Sequence, residues 1–487
     1  MTKMRACTWN EFATSRVKVA GNSPAVTLVL GLLILTSTPV TATPTARSTD
    51  GEGMGFIEIA GDNWTFIDAA TGELFVPFGT NYYDPETGWP PQLWKQFDPE
   101  RVDYHFALMK QLKVNVARVF LTAASFQPER LTVSEEALDK LDRMIEIARR
   151  HGIRLILTGP DHWEGVPAYW SPDRFAHEIA LGALDHFWTV VAGRYKDEPV
   201  IMAWDLLNEP MIPWESPTMA AQWSAWVREQ YSSAGELARA WGEESARVEW
   251  EWGHFRIPQN RGDEGNPRLY DYQRFRESIA RRWVERQVQA IRAVDPNHLI
   301  TLGMIQWSFP YSRATWEPDP LAPSWYSAFN PHRLADLLDF VSIHFYPVLG
   351  DPATPALLKA NEEYLQAVLH FADVGKPVVL EEFGWPPGTW NERVLQVTEG
   401  LASGWLSWPF ADSPASTDLS KTAGLVTVDG RVKEWGRTFQ AYVAARTKAP
   451  PPRRDDLRPV DIDWRTVLTT SNPYVYLEDY LVAAGLK

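Results

Sequence analysis

One cysteine occurs in 487 residues, Cys7, and it lies near the N-terminus. Everything beyond it is therefore without thiols, disulfides or thiolate-bound metal. The chain also lacks a readable membrane span. Its apolar run from Ala25 to Thr36 (AVTLVLGLLILT) falls short of the roughly 20 residues a spanning helix needs. No Gly-rich phosphate loop follows any candidate strand, which argues against an open nucleotide-binding sheet. Positive charge is in the minority, with 47 Lys and Arg against 62 Asp and Glu and a net charge of −15. An acidic surface repels phosphate backbones, so nucleic acid is not an expected partner. A neutral polymer would be indifferent to that charge.

The apolar run has its own context. Lys3, Arg5, Arg16 and Lys18 precede it, and Val40-Thr41-Ala42 follows with small residues at the cleavage positions. This order of basic, apolar and small residues is that of a secretory signal peptide. Residues 1–42 are expected to be removed on export, leaving a secreted chain with no membrane span. A retained anchor is the alternative, and the shortness of the run argues against it. No cysteine follows the cleavage site, so nothing points to a lipid anchor. A flexible leader is expected at 43–54.

Tryptophan is abundant, with 24 in the chain. Indole faces stack on the C–H faces of pyranose rings, although core packing is the commoner role for any single Trp. From Phe56 the pattern begins with short alternating segments, Phe56–Ile59, Trp64–Asp68 and Leu74–Pro77, read as a small hairpin. Core strands are then expected at Val76–Asn81, Val114–Phe120, Arg154–Thr158 and Ile201–Asn208. Four more follow at Leu299–Met304, Phe340–Phe345, Pro377–Glu382 and Gly404–Pro409. Helical patterns alternate with them, including Val102–Leu112, Glu136–Arg150, Phe175–Tyr195 and Tyr270–Ala293. Strands alternating with helices of this length imply parallel βαβ units, and this many of them imply a closed (β/α)₈ TIM barrel.

The expected organisation is a single catalytic domain at 55–447, with a linker and tail at 448–487 that begins Ala449-Pro450-Pro451-Pro452. A long insertion, 211–269, follows the fourth strand and includes a helical stretch, Ala220–Trp241. Leaving the C-terminal end of a barrel strand, it is expected to overhang the site.

Barrel enzymes build their sites at the C-terminal ends of the strands. The fourth strand ends Asn208-Glu209-Pro210 and the seventh ends Glu381-Glu382-Phe383-Gly384, so each delivers a carboxylate. Cleaving a glycosidic bond needs two carboxyl groups with opposed tasks, one protonating the leaving oxygen and the other attacking the anomeric carbon. A lone Glu at a strand end more often serves a structural ion pair. Two of them with matching flanks, in order on one barrel, fit complementary roles in one site. Neighbouring strand residues point to opposite sides, so Glu381 is expected to face away from the mouth into a structural pair.

With these residues in hand, the chain resembles the clan A glycoside hydrolases, and within them family 5, the cellulase and mannanase family. The resemblance spans roughly Phe56 to Val443. It is carried by Asn208-Glu209-Pro210 and Glu382-Phe383-Gly384, with Arg118, His344-Phe345-Tyr346 and Trp408 in support. It implies Glu209 as catalytic acid/base and Glu382 as nucleophile. Asn208 is implied to hold the sugar 2-hydroxyl, Arg118 and Tyr346 to orient Glu382, and Trp408 to floor the reacting subsite. His344 and His162 are implied to bind sugar hydroxyls or support Glu209. A metal site is the alternative for the two histidines, but no third ligand stands at helical spacing, so no metal and no cofactor are expected. One departure is local: Ala240-Trp241-Gly242 and Leu269-Tyr270-Asp271-Tyr272-Gln273-Arg274-Phe275 resemble family 42 β-galactosidases.

The resulting expectation is a secreted retaining β-glycoside hydrolase acting on poly- or oligosaccharides, of β-1,4-mannan or glucan type. An exo-acting, β-galactosidase-like β-glycosidase is the close alternative. A non-catalytic carbohydrate-binding barrel is the alternative of another class. Oligomeric state has no readable signature.

Overall fold

A computed structural model describes residues 53–487, apart from 164, 259–266, 311–325, 349–351, 387, 448, 463–466 and 468–472. The expected signal peptide and most of the leader lie outside the described residues. No described helix is long and apolar enough to cross a membrane.

Eight parallel strands close into a barrel. In chain order they are β4 (Phe78–Tyr82), β5 (Val116–Thr122), β6 (Arg154–Asp161) and β7 (Ile201–Asn208). The rest are β8 (Leu299–Ile305), β9 (Val341–Phe345), β10 (Val378–Phe383) and β11 (Gly404–Ser407), with β11 pairing back onto β4. Helices cover the barrel's outer face and packed side chains fill its inside, so β5, β6 and β7 are buried at every position. That is why they read as near-continuous apolar runs rather than alternating ones.

The outer layer contains α1 (Pro90–Lys95), α2 (Pro99–Gln111), α3 (Ala123–Phe126), α4 (Glu135–His151) and α5 (Glu178–Tyr195). After the insertion come α9 (Pro267–Arg292), α10 (Pro331–Leu334), α11 (Pro355–Ala372), α12 (Thr389–Val397) and α13 (Glu434–Arg446). Helix α4 illustrates why these segments are helical. Leu138, Leu141, Ile145 and Ala148 recur at helical spacing and are buried. Ser134 caps the start by accepting from the Ala137 N–H, acids fill the first turn and bases the last, and Gly152 ends the helix at φ 69°.

The expected hairpin is a three-stranded antiparallel sheet, β1 (Ile57–Ile59), β2 (Phe66–Asp68) and β3 (Leu74–Phe75). It plugs the N-terminal mouth of the barrel: Ile57 and Phe66 pack with Val116, Ile156, Met202, Phe340, Val379 and Leu406. This apolar plug closes one end and leaves the other for chemistry.

The insertion forms three helices rather than one long stretch: α6 (Pro217–Gln230), α7 (Ala234–Trp241) and α8 (Ser245–Glu251). The break falls at Ser232-Ser233. There Ser233 caps α7 through the Glu236 N–H, while the Glu236 carboxylate accepts from the Ser232 N–H. This reciprocal exchange starts a new helix and ends the old one. The family 42-like segment is its anchor: Asp271 accepts from the Trp241 indole at 2.9 Å and from the Tyr231 hydroxyl at 2.5 Å. The C-terminal helix α14 (Pro473–Ala484) packs on α11, with Tyr480 edge-on to Phe309 at 4.9 Å and bonded to His370 at 2.8 Å.

Candidate active site

Seven of the eight expected site residues converge at the C-terminal mouth, and Arg118 on β5 is their hub. Its guanidinium is wholly buried. It donates through Nη1 to Glu382 Oε1 at 2.6 Å and to Asn81 Oδ1 at 3.1 Å. Through Nη2 it donates to Asp205 Oδ2 at 2.6 Å and to Asn208 Oδ1 at 3.1 Å. Burial alone would lower its pKa; the carboxylates Glu381, Asp205 and Glu382 outweigh that and raise it, so Arg118 is a fixed cation.

Glu382 on β10 is buried, with its second oxygen accepting from the Tyr346 hydroxyl at 2.7 Å. Burial and the neighbouring charges of Glu382 and Glu209 push the Tyr346 phenol far up, so it is a donor at any ordinary pH. Tyr346 is itself clamped by Gln306, which takes its N–H at 2.8 Å and gives to its carbonyl at 2.9 Å. For Glu382 the effects oppose each other. Burial pushes its carboxyl up, His344 and Arg118 pull it down, and the charge of Glu209 adds to the upward push, leaving it above the ordinary value.

Glu209 follows β7 and its side chain is 28% exposed, against 5% for Glu382. Its backbone lies in the left-handed region at φ 46°, held by its N–H donating to Gly303 O at 2.8 Å. A non-glycine residue held there is strained, as side chains at reactive positions often are. His344 on β9 bridges the two halves, with Nδ1 at 3.2 Å from Glu209 Oε1 and 3.5 Å from Glu382 Oε1. Carboxylate oxygens of Glu209 and Glu382 and a ring nitrogen of His344 all lie within 4.8 Å of one another.

Trp408 joins an aromatic wall with Tyr83 and Phe120, against which Trp163 and Tyr346 pack. Its indole N–H is fixed by Ser420 at 3.0 Å, and the wall continues outward from Trp163 to Trp89 at 5.2 Å. The eighth expected residue, His162, lies one position beyond β6 beside the Asp161 carboxylate at 3.5 Å. Burial and then Arg174 lower its pKa to about 3, so it is a neutral ring. Burial raises Asp161 to about 7.

Glu381 does enter a structural pair, as expected, but its partner is Arg118, in the same cluster as Glu382. The pairing of β10 with β9 runs Leu380↔Ile343 and then Glu382↔His344, so Glu381 is an extra residue in a bulge. A bulge breaks strict alternation and lets neighbouring side chains turn to one side. Glu381 thereby reaches Arg118 Nε at 3.4 Å and His344 Nε2 at 3.3 Å. A similar slip on β7 between Asp205 and Asn208 lets both residues address Arg118.

Three further site residues went unread in the sequence. Asp205 takes Thr158 Oγ1 at 2.6 Å and the Gly303 N–H at 2.7 Å besides Arg118, and its signal was a charge within an otherwise apolar strand. Gln306 orients Tyr346. Gly303 must lack a side chain, because a Cβ there would lie 2.7 Å from Arg118 Nη2 and 3.0 Å from His344 Nε2.

Glu209, His344 and Glu382 could in principle ring a cation. Their donors are engaged already, however: both Glu382 oxygens and both His344 nitrogens have protein partners, and Arg118 stands 2.6 Å from Glu382. A metal there would have to displace these bonds beside a fixed positive charge. The set suits proton and acyl-type carboxylate chemistry better than coordination.

Comparison with known proteins finds relatives among glycosidases. The glycoside hydrolase family 42 (beta-galactosidase) model matches residues 174–411. Mannan endo-1,4-beta-mannosidase 8 of Oryza sativa subsp. japonica is 24% identical over 355 residues, covering 65% of this chain and 77% of that one. The match to mannan endo-1,4-beta-mannosidase 7 of the same plant spans 58% of that relative's length. The chain is a glycoside hydrolase, with likeness to families 5 and 42. Among solved structures, the hydrolase shares its fold with a GH5_18 protein from Streptomyces cattleya in complex with Manβ1-4GlcNAc. That pair has a TM-score of 0.58 at 19% identity, covering 84% of this chain and 92% of the other. A beta-galactosidase from Rahnella sp. R3 has the same fold at TM-score 0.62 and 18% identity, covering 81% and 59%. The hydrolase thus shares its barrel fold with both.

Proposed function

We propose that this hydrolase cleaves β-1,4-linked glycans of mannan or glucan type with net retention. In this reading Glu382 is the nucleophile and Glu209 the acid/base. The observation that carries it is that one oxygen of each carboxylate lies within 4.8 Å of the other, in unlike surroundings. Double displacement works with carboxyl groups about 5 Å apart, whereas inversion needs about 6.5–9.5 Å to admit a water.

The surroundings divide the tasks. Glu382 is buried against Arg118 and Tyr346, both of which favour its anion, as a nucleophile requires. Glu209 is the more exposed and can meet the leaving oxygen and then the incoming water. In the first step Glu382 bonds to the anomeric carbon while Glu209 protonates the departing oxygen. In the second, Glu209 takes a proton from water, which displaces Glu382. Trp408 supports the reacting ring, Asn208 its 2-hydroxyl, and His162 other hydroxyls.

The mannan-type substrate draws support from the mannan endo-1,4-beta-mannosidases among the relatives. The family 42 match over 174–411 favours a second reading, an exo-acting β-galactosidase-like enzyme. Export on the leader at 1–42 belongs to the same proposal, and N-terminal sequencing of protein recovered from the medium tests it.

The deciding experiment follows a panel of aryl β-mannosides, β-glucosides and β-galactosides, and mannan itself, by proton NMR. Fresh product carrying the β-anomer from mannan or mannooligosaccharides is the expected outcome. An α-anomer as first product would exclude retention. Turnover confined to galactosides would transfer the assignment to the second reading, and turnover of none would favour a binding barrel.

A further inference from the structure

Two buried carboxylates beside Arg118 take no part in the reaction just proposed, Asp205 and Glu381. Asp205 is saturated by Arg118, Thr158 and the Gly303 N–H, as a fixed brace would be. Glu381 is placed differently. It is the extra residue of the β10 bulge, wholly enclosed, and its Oε2 faces His344 Nε2 at 3.3 Å.

His344 is therefore held at both ends by carboxylates. Nε2 meets Glu381, and Nδ1 meets Glu209 at 3.2 Å with Glu382 at 3.5 Å. Arg118, Asp205 bonded to it, and the Tyr346 phenol on Glu382 are the other charged or titratable groups against this cluster. A ring with an acceptor at each nitrogen is at home with a proton on each.

We propose that Glu381 is a positioning residue for the acid/base: by holding His344 as an imidazolium, it confines the acid proton of Glu209 to the oxygen turned away from His344. A doubly protonated ring can only donate from Nδ1, so Glu209 Oε1 must accept. The acid proton then resides on Oε2, free to pass to the leaving oxygen. A neutral ring with a bare Nδ1 would accept that proton instead and aim it into the barrel wall. His344 keeps both protons throughout. In the first step the Glu209 O–H bond breaks, the leaving oxygen gains the proton and Glu382 bonds to the anomeric carbon. In the second, water gives its proton back to the same Glu209 oxygen as it displaces Glu382.

The electrostatics agree in direction. Burial by itself would lower His344, but Glu382, Glu209 and Glu381 outweigh it and raise the ring to about 9. Glu381 stays on the low side despite burial, because Arg118 and His344 stabilise its anion.

This inference rests on Glu209 being the acid/base, and its test is read without substrate. In the full chain labelled with ¹⁵N-histidine, the His344 ring signals, assigned through His344→Gln, should be those of an imidazolium at pH 7. In Glu381→Gln the ring should titrate lower by about one pH unit or more. The alkaline limb of kcat/KM should move down with it, and activity should recover toward acid; a merely structural defect would lower activity equally at every pH. A neutral wild-type ring at pH 7, or an unchanged His344 titration in Glu381→Gln, overturns the proposal. Should the variant not fold, the wild-type ring measurement alone decides. Failure of the proposed reaction is a separate result, read from untouched glycosides.

Discussion

Two buried arginines, Arg118 at the barrel mouth and Arg268 in the insertion, use similar parts to different ends. Arg268 is wholly buried, bidentate to Glu243 at 3.1 and 2.8 Å, and bonded to Glu251 at 2.7 Å. Arg247 approaches the same two carboxylates at 3.6 and 3.4 Å from the surface, so two cations face two anions. The Trp241 ring covers the Arg268 guanidinium at 4.3 Å. Among the described residues this ring of charges is balanced, and it holds α7, α8 and α9 together.

The mouth is not balanced. Arg118 and His344 face Asp205, Glu209, Glu381 and Glu382. Such an excess of carboxyl groups favours a proton on one of them. Buried charge that closes on itself is architecture, whereas buried charge left over is available for chemistry.

The largest expected effect separates these two roles. Glu382→Ala should cut kcat by about 10⁴-fold or more, with little change in Tm, while Glu243→Ala should leave kcat near wild type. The cost of Glu243→Ala should appear instead as about 3–5 kcal/mol of stability, because Arg268 loses its bidentate partner. Urea titration and steady-state kinetics on both variants measure this, and a Glu243 variant as inactive as the Glu382 variant would erase the distinction.

Glu209→Ala comes next, with an expected loss of about 10²–10⁴-fold on substrates whose leaving group needs protonation. An activated aryl leaving group should be affected less. Gly303→Ala tests the packing of the mouth alone: its Cβ would press on Arg118 and His344. Displacing the cluster by a fraction of an ångström should lower kcat about 100-fold, without a change in any charged residue.

A smaller effect distinguishes the regions by pH. In the folded chain the surrounding carboxylates outweigh burial and push His344 up from its ordinary 6.5 to about 9. Its contribution to stability is therefore fully present below 6.5 and is lost as pH rises through about 9. The neutral rings of His105 and His162 act in the opposite sense. Lowered to about 4 and about 3, chiefly by burial, they contribute above 6.5 and cost stability as pH falls toward those values. Tm against pH should decline on both flanks, and His344→Gln should flatten the alkaline one only. Least of all, Tyr231→Phe should cost about 1 kcal/mol through its lost bond to Asp271, with kcat unchanged.

Much of this was legible in the chain. The apolar strands of a barrel are buried on both faces, so runs such as Ile201–Asn208 and Leu299–Ile305 announce themselves. Glu209 and Glu382 were readable because each ends a strand beside a distinctive neighbour, Pro210 or Phe383-Gly384. That Glu381 would enter a structural pair was readable, but its sharing of Arg118 with Glu382 was not, because strand alternation holds only for regular pairing and a bulge stands at that very residue. Gly303 and Gln306 were invisible, since what they do depends on side chains that arrive from β5 and β9.

The order of residues determined the alternation of strand and helix, and with it the barrel and the delivery of two carboxylates to one rim. Those are consequences of local periodicity and chain direction. Tertiary structure alone decided how many charges share the mouth and which nitrogen faces which oxygen, because ionisation depends on neighbours brought in from six separate strands.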